Sequence, residues 1–295
     1  MKVPARLVAI LTIGAAAAGL AGCGSGDGGG GVEVVAGFYP VAWAAERVGG
    51  GAVMVNDLTP AGVEPHDLEL TPDQVDDVLD ADAVVLMGED FQPAVEDAAA
   101  ARDGVTVELL EVLPGAELIE NDPHVWLDPV LMGEIVDAVE AALIEVDPDH
   151  RARFRANADE VRARLDALDA AYRRGLATCE RDLVVSAHDA FGYLTARYGL
   201  RGAGVAGLSP DAEPDARRLA ELADLAREEG VTTVFTEELV SPEIAETLAR
   251  EAGGLETEVL NPLESLSDAE RAAGGDYVSV MEANLTRLRD ALGCS

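Results

Sequence analysis

Seven short runs rich in β-branched residues recur along the chain, and stretches with helical periodicity separate most of them. The runs are Val32–Ala36, Val53–Leu58, Ala83–Met87, Val105–Leu109, Leu183–Ser186, Val231–Thr236 and Glu256–Leu260. Parallel strands need a crossover, usually a helix, so this alternation predicts parallel sheets in α/β layers. Helix starts are well marked. Thr71-Pro72-Asp73-Gln74 offers a capping threonine, a proline at the first helical position and a glutamine at the capping-box position. Asp128-Pro129, Asp147-Pro148 and Ser241-Pro242 repeat the cap-then-proline pattern. The longest helical stretch runs from Pro148 to Ala177, where Phe154, Val161, Leu165, Leu168, Tyr172 and Leu176 fall on one stripe. A helix of roughly thirty residues makes a rod of about 45 Å, long enough to brace two lobes. The expected fold class is α/β, with two lobes of parallel-type sheets joined by one long helix. The lobes are expected over 32–147 and 179–295, with 148–178 as the linking helix.

The first residues say where such a chain works. Residues 1–22 combine a basic start (Lys2, Arg6) with an apolar run from Leu7 to Leu20. That run is too short to span a bilayer as a helix and suits a signal-peptide core. Leu20-Ala21-Gly22-Cys23 resembles the bacterial lipobox, which implies cleavage before Cys23 and lipid on its sulfur. Residues 23–31 then form a glycine-rich tether. The expected location is extracytoplasmic, lipid-anchored to the cell membrane.

Charge narrows the partners. The net charge is −35, and loss of residues 1–22 removes two positive charges and no acid, leaving −37 and no lysine. So acidic a chain is a poor binder of nucleic acid or of anionic lipid through its surface. An apolar fraction of 48% supplies a real core. Composition selects no activity.

Three of the four histidines are placed alike. His66 follows a strand and a Pro-Gly-Pro loop, His124 precedes the capped helix at Asp128, and His188 follows the strand Leu183–Ser186. All three are expected on the carboxyl edge of the sheets, where open α/β folds place ligands. Imidazole is a common transition-metal ligand, and three in one cleft would suit zinc. Spacings of 58 and 64 residues are no local metal motif, so a solvated or capping role for each stays open. His150 reads as an exposed residue at a helix terminus.

Longer motifs carry a family resemblance. Phe38-Tyr39-Pro40, Gly62-Val63-Glu64-Pro65-His66-Asp67-Leu68, Asp122-Pro123-His124-Val125-Trp126-Leu127-Asp128-Pro129, His188-Asp189-Ala190-Phe191-Gly192-Tyr193, Asn261-Pro262-Leu263-Glu264, Asp276-Tyr277-Val278 and Asn284-Leu285 occur in that order. From about Val32 to Leu292 the chain resembles the zinc- and manganese-binding solute-binding proteins of ABC importers. The resemblance implies two α/β lobes bridged by a long helix, a metal in the cleft between them, an ABC permease as partner and a monomeric carrier. It carries His66, His124 and His188 over as ligands. Relatives that prefer manganese often have a carboxylate at the third position, so His188 points to Zn2+ over Mn2+.

Glu264 is the expected fourth ligand, because a carboxylate binds zinc better than the amide of Asn261. The alternative is water in that place, with Glu64, Glu237 or Glu238 nearby. Zinc is expected to draw the Asn261–Glu264 loop inward, with only slight tilting of the lobes. Asp67, Asp122 and Asp189 are candidate acceptors for the ring N–H groups of the ligands. The stretch Gly115–Asn121 is short and holds no histidine, so the His-rich loop of many zinc carriers is not expected.

A three-His zinc hydrolase or hydratase is the competing class. It would need an open coordination position and a positioned base, and no His-Glu-x-x-His or Gly-x-Ser-x-Gly signature occurs. The expectation is a carrier and not an enzyme. With Cys23 given to lipid, Cys179 and Cys294 are an even pair in an oxidising compartment, which predicts a disulfide. Their rival roles are zinc ligation or two free thiols.

Overall fold

Among the described residues eight strands form two four-stranded sheets, and every strand pairing is parallel. The structure is a computed structural model that describes residues 31–113, 118–210 and 216–295. The leader at 1–22, Cys23, most of the tether and part of the 115–121 loop lie outside the described residues. Among the described residues no helix is long and apolar enough to cross a membrane.

In the first lobe β1 (Val32–Ala36), β2 (Val53–Asp57), β3 (Ala83–Leu86) and β4 (Val105–Glu108) pair in the order β2-β1-β3-β4. Helices α1 (Tyr39–Gly49), α2 (Pro72–Asp80), α3 (Pro93–Ala99) and the single turn α4 (Leu109–Val112) alternate with these strands, and α5 (Pro129–Val146) follows. Helix α6 (Arg151–Gly175) leads into the second lobe. There β5 (Leu183–Ser186), β6 (Arg201–Gly204), β7 (Thr233–Thr236) and β8 (Glu256–Val259) pair in the order β6-β5-β7-β8. Its helices are α7 (Gly192–Arg197), α8 (Ala216–Glu228), α9 (Glu243–Glu251), α10 (Asp268–Ala272) and α11 (Tyr277–Leu292). The two orders match, so each lobe reverses its winding beside its first strand. Open α/β sheets hold ligands outside the strand ends at that point.

The sequence signals hold with local shifts. Thr71 closes a full capping box with Gln74, and Asp128 accepts from the Val130 N–H. The long helix is shorter than Pro148–Ala177, because Asp147 caps a separate 3-10 turn over Pro148–His150. All six residues of the apolar stripe are buried. Strand β6 lies outside the seven expected runs. Its Arg-Gly-Ala-Gly sequence has no β-branched residue, and it forms only the edge of its sheet. A Cβ on Gly204 would collide with the Asp189 backbone N–H, so this strand passes closely under the turn that carries His188.

The lobes share more than the connecting helix. One apolar cluster runs from Val34 through α1, α5 and α6 to Phe235, Met281 and Leu292. Asn157 on α6 donates to the Val48 carbonyl at 2.8 Å, and Tyr172 donates to the Met281 carbonyl at 2.7 Å. The α6 rod is thus bonded to an N-terminal and a C-terminal helix. Cys179 and Cys294 form the expected disulfide, which joins the end of the chain to the segment after α6. Bending such an assembly means breaking core packing, which restricts motion between the lobes.

Candidate metal centre

His66 reaches the cleft from the loop after β2. Its backbone N–H donates to Glu64 Oε1 at 3.1 Å, and Gln92 Nε2 holds the preceding Pro65 carbonyl at 3.3 Å. His124 stands at the start of a 3-10 turn, Val125–Leu127, that runs into the capped start of α5. His188 follows β5, and the Ser186 hydroxyl donates to its carbonyl at 2.7 Å. Glu237, which follows β7, accepts the His188 backbone N–H at 3.1 Å. Strands β5 and β7 flank the reversal point of the second sheet. The carboxyl edge therefore delivers both residues.

The structure brings His66, His124, His188 and Glu264 together, with their ligand-type atoms all within 4.8 Å of one another. Glu264 Oε1 lies 3.5 Å from His66 Nε2, 3.3 Å from His124 Nε2 and 3.2 Å from His188 Nε2. The Nε2 atoms of His124 and His188 are 3.3 Å apart. Zinc–nitrogen and zinc–oxygen bonds of roughly 2.0–2.1 Å in a tetrahedron put neighbouring donors about 3.3–3.4 Å apart. These four separations are those of a tetrahedral edge, and the remaining donor pairs lie within 4.8 Å.

Each inner imidazole is aimed by a carboxylate behind it. His124 Nδ1 pairs with Asp122 Oδ1 at 2.8 Å, and His188 Nδ1 pairs with Glu237 Oε2 at 2.6 Å. A proton on Nδ1 in these bonds turns the Nε2 lone pair toward the centre. The rings of His66 and His124 rest on Phe91 and Trp126, with Phe38 against both of those aromatics. That shelf keeps water from one side and strengthens the field inside.

The metal-free site is highly charged. Burial disfavours the His188 cation, but its bonds to Glu237 and Glu264 outweigh that and push it up to about 10. His124 is raised in the same way, with Asp122 and Glu264 overcoming burial. Burial works against the Glu264 carboxylate too, yet the three facing imidazoles hold it well below the usual range. Among the described residues neither Glu264 oxygen receives a hydrogen bond of ordinary geometry, although its side chain is only 1% exposed. A cation between it and the imidazoles would give this buried carboxylate the direct partner it lacks. Glu64, beside the cluster, is pushed up to about 9 by burial and by the Glu264 charge.

Other named residues fall elsewhere. Asp189 does not serve His188; its carboxylate accepts the Gly204 N–H, and Glu237 takes the imidazole instead. Asp67 makes no bond to His66, whose ring lies 3.5 Å from Glu264 and 4.0 Å from Glu64. Glu238 lies outside the cluster, beside Glu270, Ser267 and Arg287. Asn261 donates to Glu270 at 3.0 Å and accepts the Leu263 N–H at 2.7 Å, so it shapes the loop without reaching the cluster. His150 is half-exposed and paired with Asp147, outside the site. Glu264 faces the three imidazoles in this structure.

Several supporting residues escaped the sequence reading. Tyr193 on α7 donates to the Asp122 carbonyl at 3.1 Å and accepts the Ile119 N–H at 2.8 Å, fastening the His124 segment to the second lobe. Trp126 Nε1 donates to the Pro262 carbonyl at 2.8 Å, and Tyr277 donates to the Trp126 carbonyl at 2.5 Å. Gly62 N–H donates to Ser265 Oγ at 3.1 Å, tying the His66 loop to the Glu264 loop. Gly62, Trp126 and Tyr193 lie inside the His motifs and Tyr277 inside the Asp276 motif, but contact across lobes is not legible there.

Comparison with known proteins agrees with this geometry. Residues 34–291 match the family described as ZnuA, zinc-uptake complex component A, periplasmic. The chain belongs to the ZnuA family. Among ZnuA-related proteins, the zinc-binding lipoprotein AdcA of Streptococcus pneumoniae is 37% identical over 277 residues, covering 88% of this chain. This chain spans 55% of that relative's length. The high-affinity zinc uptake system protein ZnuA of Bacillus subtilis is 36% identical over 280 residues, covering 88% of each. The crystal structure of the Zn(II)-bound ZnuA-like domain of S. pneumoniae AdcA superposes with a TM-score of 0.75 at 38% identity, covering 89% of this chain and 99% of that one.

Proposed function

We propose that this chain is an extracytoplasmic zinc-binding protein that hands the ion to an ABC import permease, with His66, His124, His188 and Glu264 as the ligands. One observation carries the reading: Glu264 Oε1 stands 3.2–3.5 Å from three imidazole Nε2 atoms, at the donor spacing of four-coordinate zinc. Three nitrogens and one carboxylate oxygen favour zinc over manganese. Four protein donors also close the cage, whereas catalytic zinc keeps a position for water. That supports a carrier over a three-His hydrolase. Lipid on Cys23, after loss of residues 1–22, with 23–31 as the tether, would hold a monomer beside the permease. The lipoprotein name of the streptococcal relative supports that placement.

His66 is the ligand candidate nearest solvent, with 11% of its side chain exposed. A cavity of about 430 Å³ lined by His66, Glu89, Asp90 and Phe91 opens beside it. Two carboxylates at the mouth attract a cation, so the ion enters and leaves past His66.

Two tests bear on this reading. In competitive titration against a fluorescent zinc chelator, Glu264→Ala should weaken binding more than Asn261→Ala does. The opposite order would make water the fourth ligand and Asn261 the residue that holds the loop. Acidification should also release the metal. At pH 7 His188, pushed up to about 10, favours its protonated form, and zinc must displace that proton; His124 is shifted in the same direction. Affinity should fall about tenfold per pH unit for each proton displaced, or at least roughly 10²-fold between about pH 7 and pH 5. An indicator dye should register proton release on zinc addition at pH 7. Stability of the metal-free form has the opposite sign. The raised His188 contributes stability in full below its unfolded value of about 6.5, and that contribution is lost as pH rises through about 10.

A further inference from the structure

The loop that carries Glu264 is held in a conformation its own sequence does not favour. Leu263, the residue before Glu264, has φ of 61° and is fully buried. A bulky side chain in the left-handed region is strained, and such strain persists only where the surroundings over-determine it. Here they do. Asn284, wholly buried on α11, accepts the Asn261 N–H on Oδ1 at 3.1 Å and donates from Nδ2 to the Asn261 carbonyl at 2.7 Å. The Asn261 side chain then closes a turn on the Leu263 N–H at 2.7 Å, with its amide fixed on Glu270. Trp126 holds the Pro262 carbonyl between them.

Asn284 sits among Tyr277, Val280, Met281, Leu288 and Leu292 on the buried stripe of α11. An apolar residue would suit that stripe, and a buried amide is tolerated only when its bonds are made. Both of its bonds go to the backbone of residue 261.

We infer that Asn284 is a positioning residue for the metal site: its two-point hold on Asn261 keeps the strained Leu263 turn that aims Glu264 at the three imidazoles. The inference rests on the proposed role of Glu264 as fourth ligand. A ligand fixed before the ion arrives loses little freedom on binding, so releasing the turn weakens the site even though Glu264 is still present.

The test is zinc titration and Co2+ absorption of the full chain in four variants. Asn284→Ala should weaken zinc binding roughly 10- to 100-fold, the usual effect of losing a group that orients a ligand. It should also reduce the strong visible absorption of tetrahedral Co2+, as Glu264→Ala does. Asn284→Asp keeps the size and the acceptor but loses the Nδ2 donor, and should fall between Asn284→Ala and the unaltered protein; it stands in if the alanine variant does not fold. Leu288→Ala, on the same buried stripe, should lower the melting temperature and leave both readouts unchanged. If the Asn284 variants bind zinc within about twofold of the unaltered protein while Glu264→Ala does not, the inference is overturned. An equal loss in Leu288→Ala overturns it as well, by making the effect one of general destabilisation. Unchanged affinity in Glu264→Ala would remove the ligand role of Glu264, and this inference with it.

Discussion

Replacing His188 by alanine should weaken zinc binding by roughly 10²- to 10³-fold. Structural zinc sites bind with about 10–16 kcal/mol, and a quarter of that, about 2.5–4 kcal/mol, corresponds to such a loss. The substitution also strands Glu237, whose buried carboxylate now receives His188 Nδ1 at 2.6 Å. His124→Ala should cost as much for the same reason, through Asp122. His66→Ala should weaken binding strongly too, though it leaves no buried acid so directly unpaired. His150→Ala should change nothing, because that ring is half-exposed and bonded to Asp147. Isothermal or competitive titration of metal-free protein decides the matter. Retained affinity in His188→Ala would sink the ligand assignment.

Opening the Cys179–Cys294 disulfide should destabilise the fold by up to roughly 4–5 kcal/mol, the chain-entropy value for so long a closed loop. The bridge closes 115 residues, which include the whole second sheet and the Glu264 loop. Around it Ser295 N–H donates to the Thr178 carbonyl at 3.0 Å, and the Glu180 and Arg181 N–H groups donate to the Leu292 carbonyl at 3.1 Å. These bonds hold the reduced form partly in place, so the observed loss should lie toward the lower end. A paired Cys179→Ser and Cys294→Ser variant should melt about 5–10 °C below the oxidised protein. Denatured, unreduced protein lacking Cys23 should titrate no thiols. Two titratable thiols would show that the bridge does not form in solution.

Much of the fold was legible because its signals are local. Alternation of β-branched runs with helical stretches determined the α/β class, and the cap-then-proline signals marked where helices begin. The stripe on α6 showed which face would be buried. Strand β6 was illegible, since Arg-Gly-Ala-Gly has no strand propensity and pairs only because β5 offers an unpaired edge. The end of α5 and the start of α6 were blurred for a similar reason, as one carboxylate, Asp147, decides where a turn replaces a helix.

By itself the sequence determined the three histidine positions, the class of metal they suit, the cysteine pairing and the glutamate most apt as a fourth ligand. Each depends on side-chain chemistry, or on motifs that survive when read in one dimension. Only the tertiary structure decided that Glu264 Oε1 stands at a tetrahedral-edge distance from all three imidazoles, and that Glu237 rather than Asp189 backs His188. Only it showed Asn284 gripping Asn261 across 23 residues of sequence. These are contacts between separate loops and lobes, and their geometry is fixed by the shared core and by strand order. Nothing in the neighbouring residues of either partner encodes it.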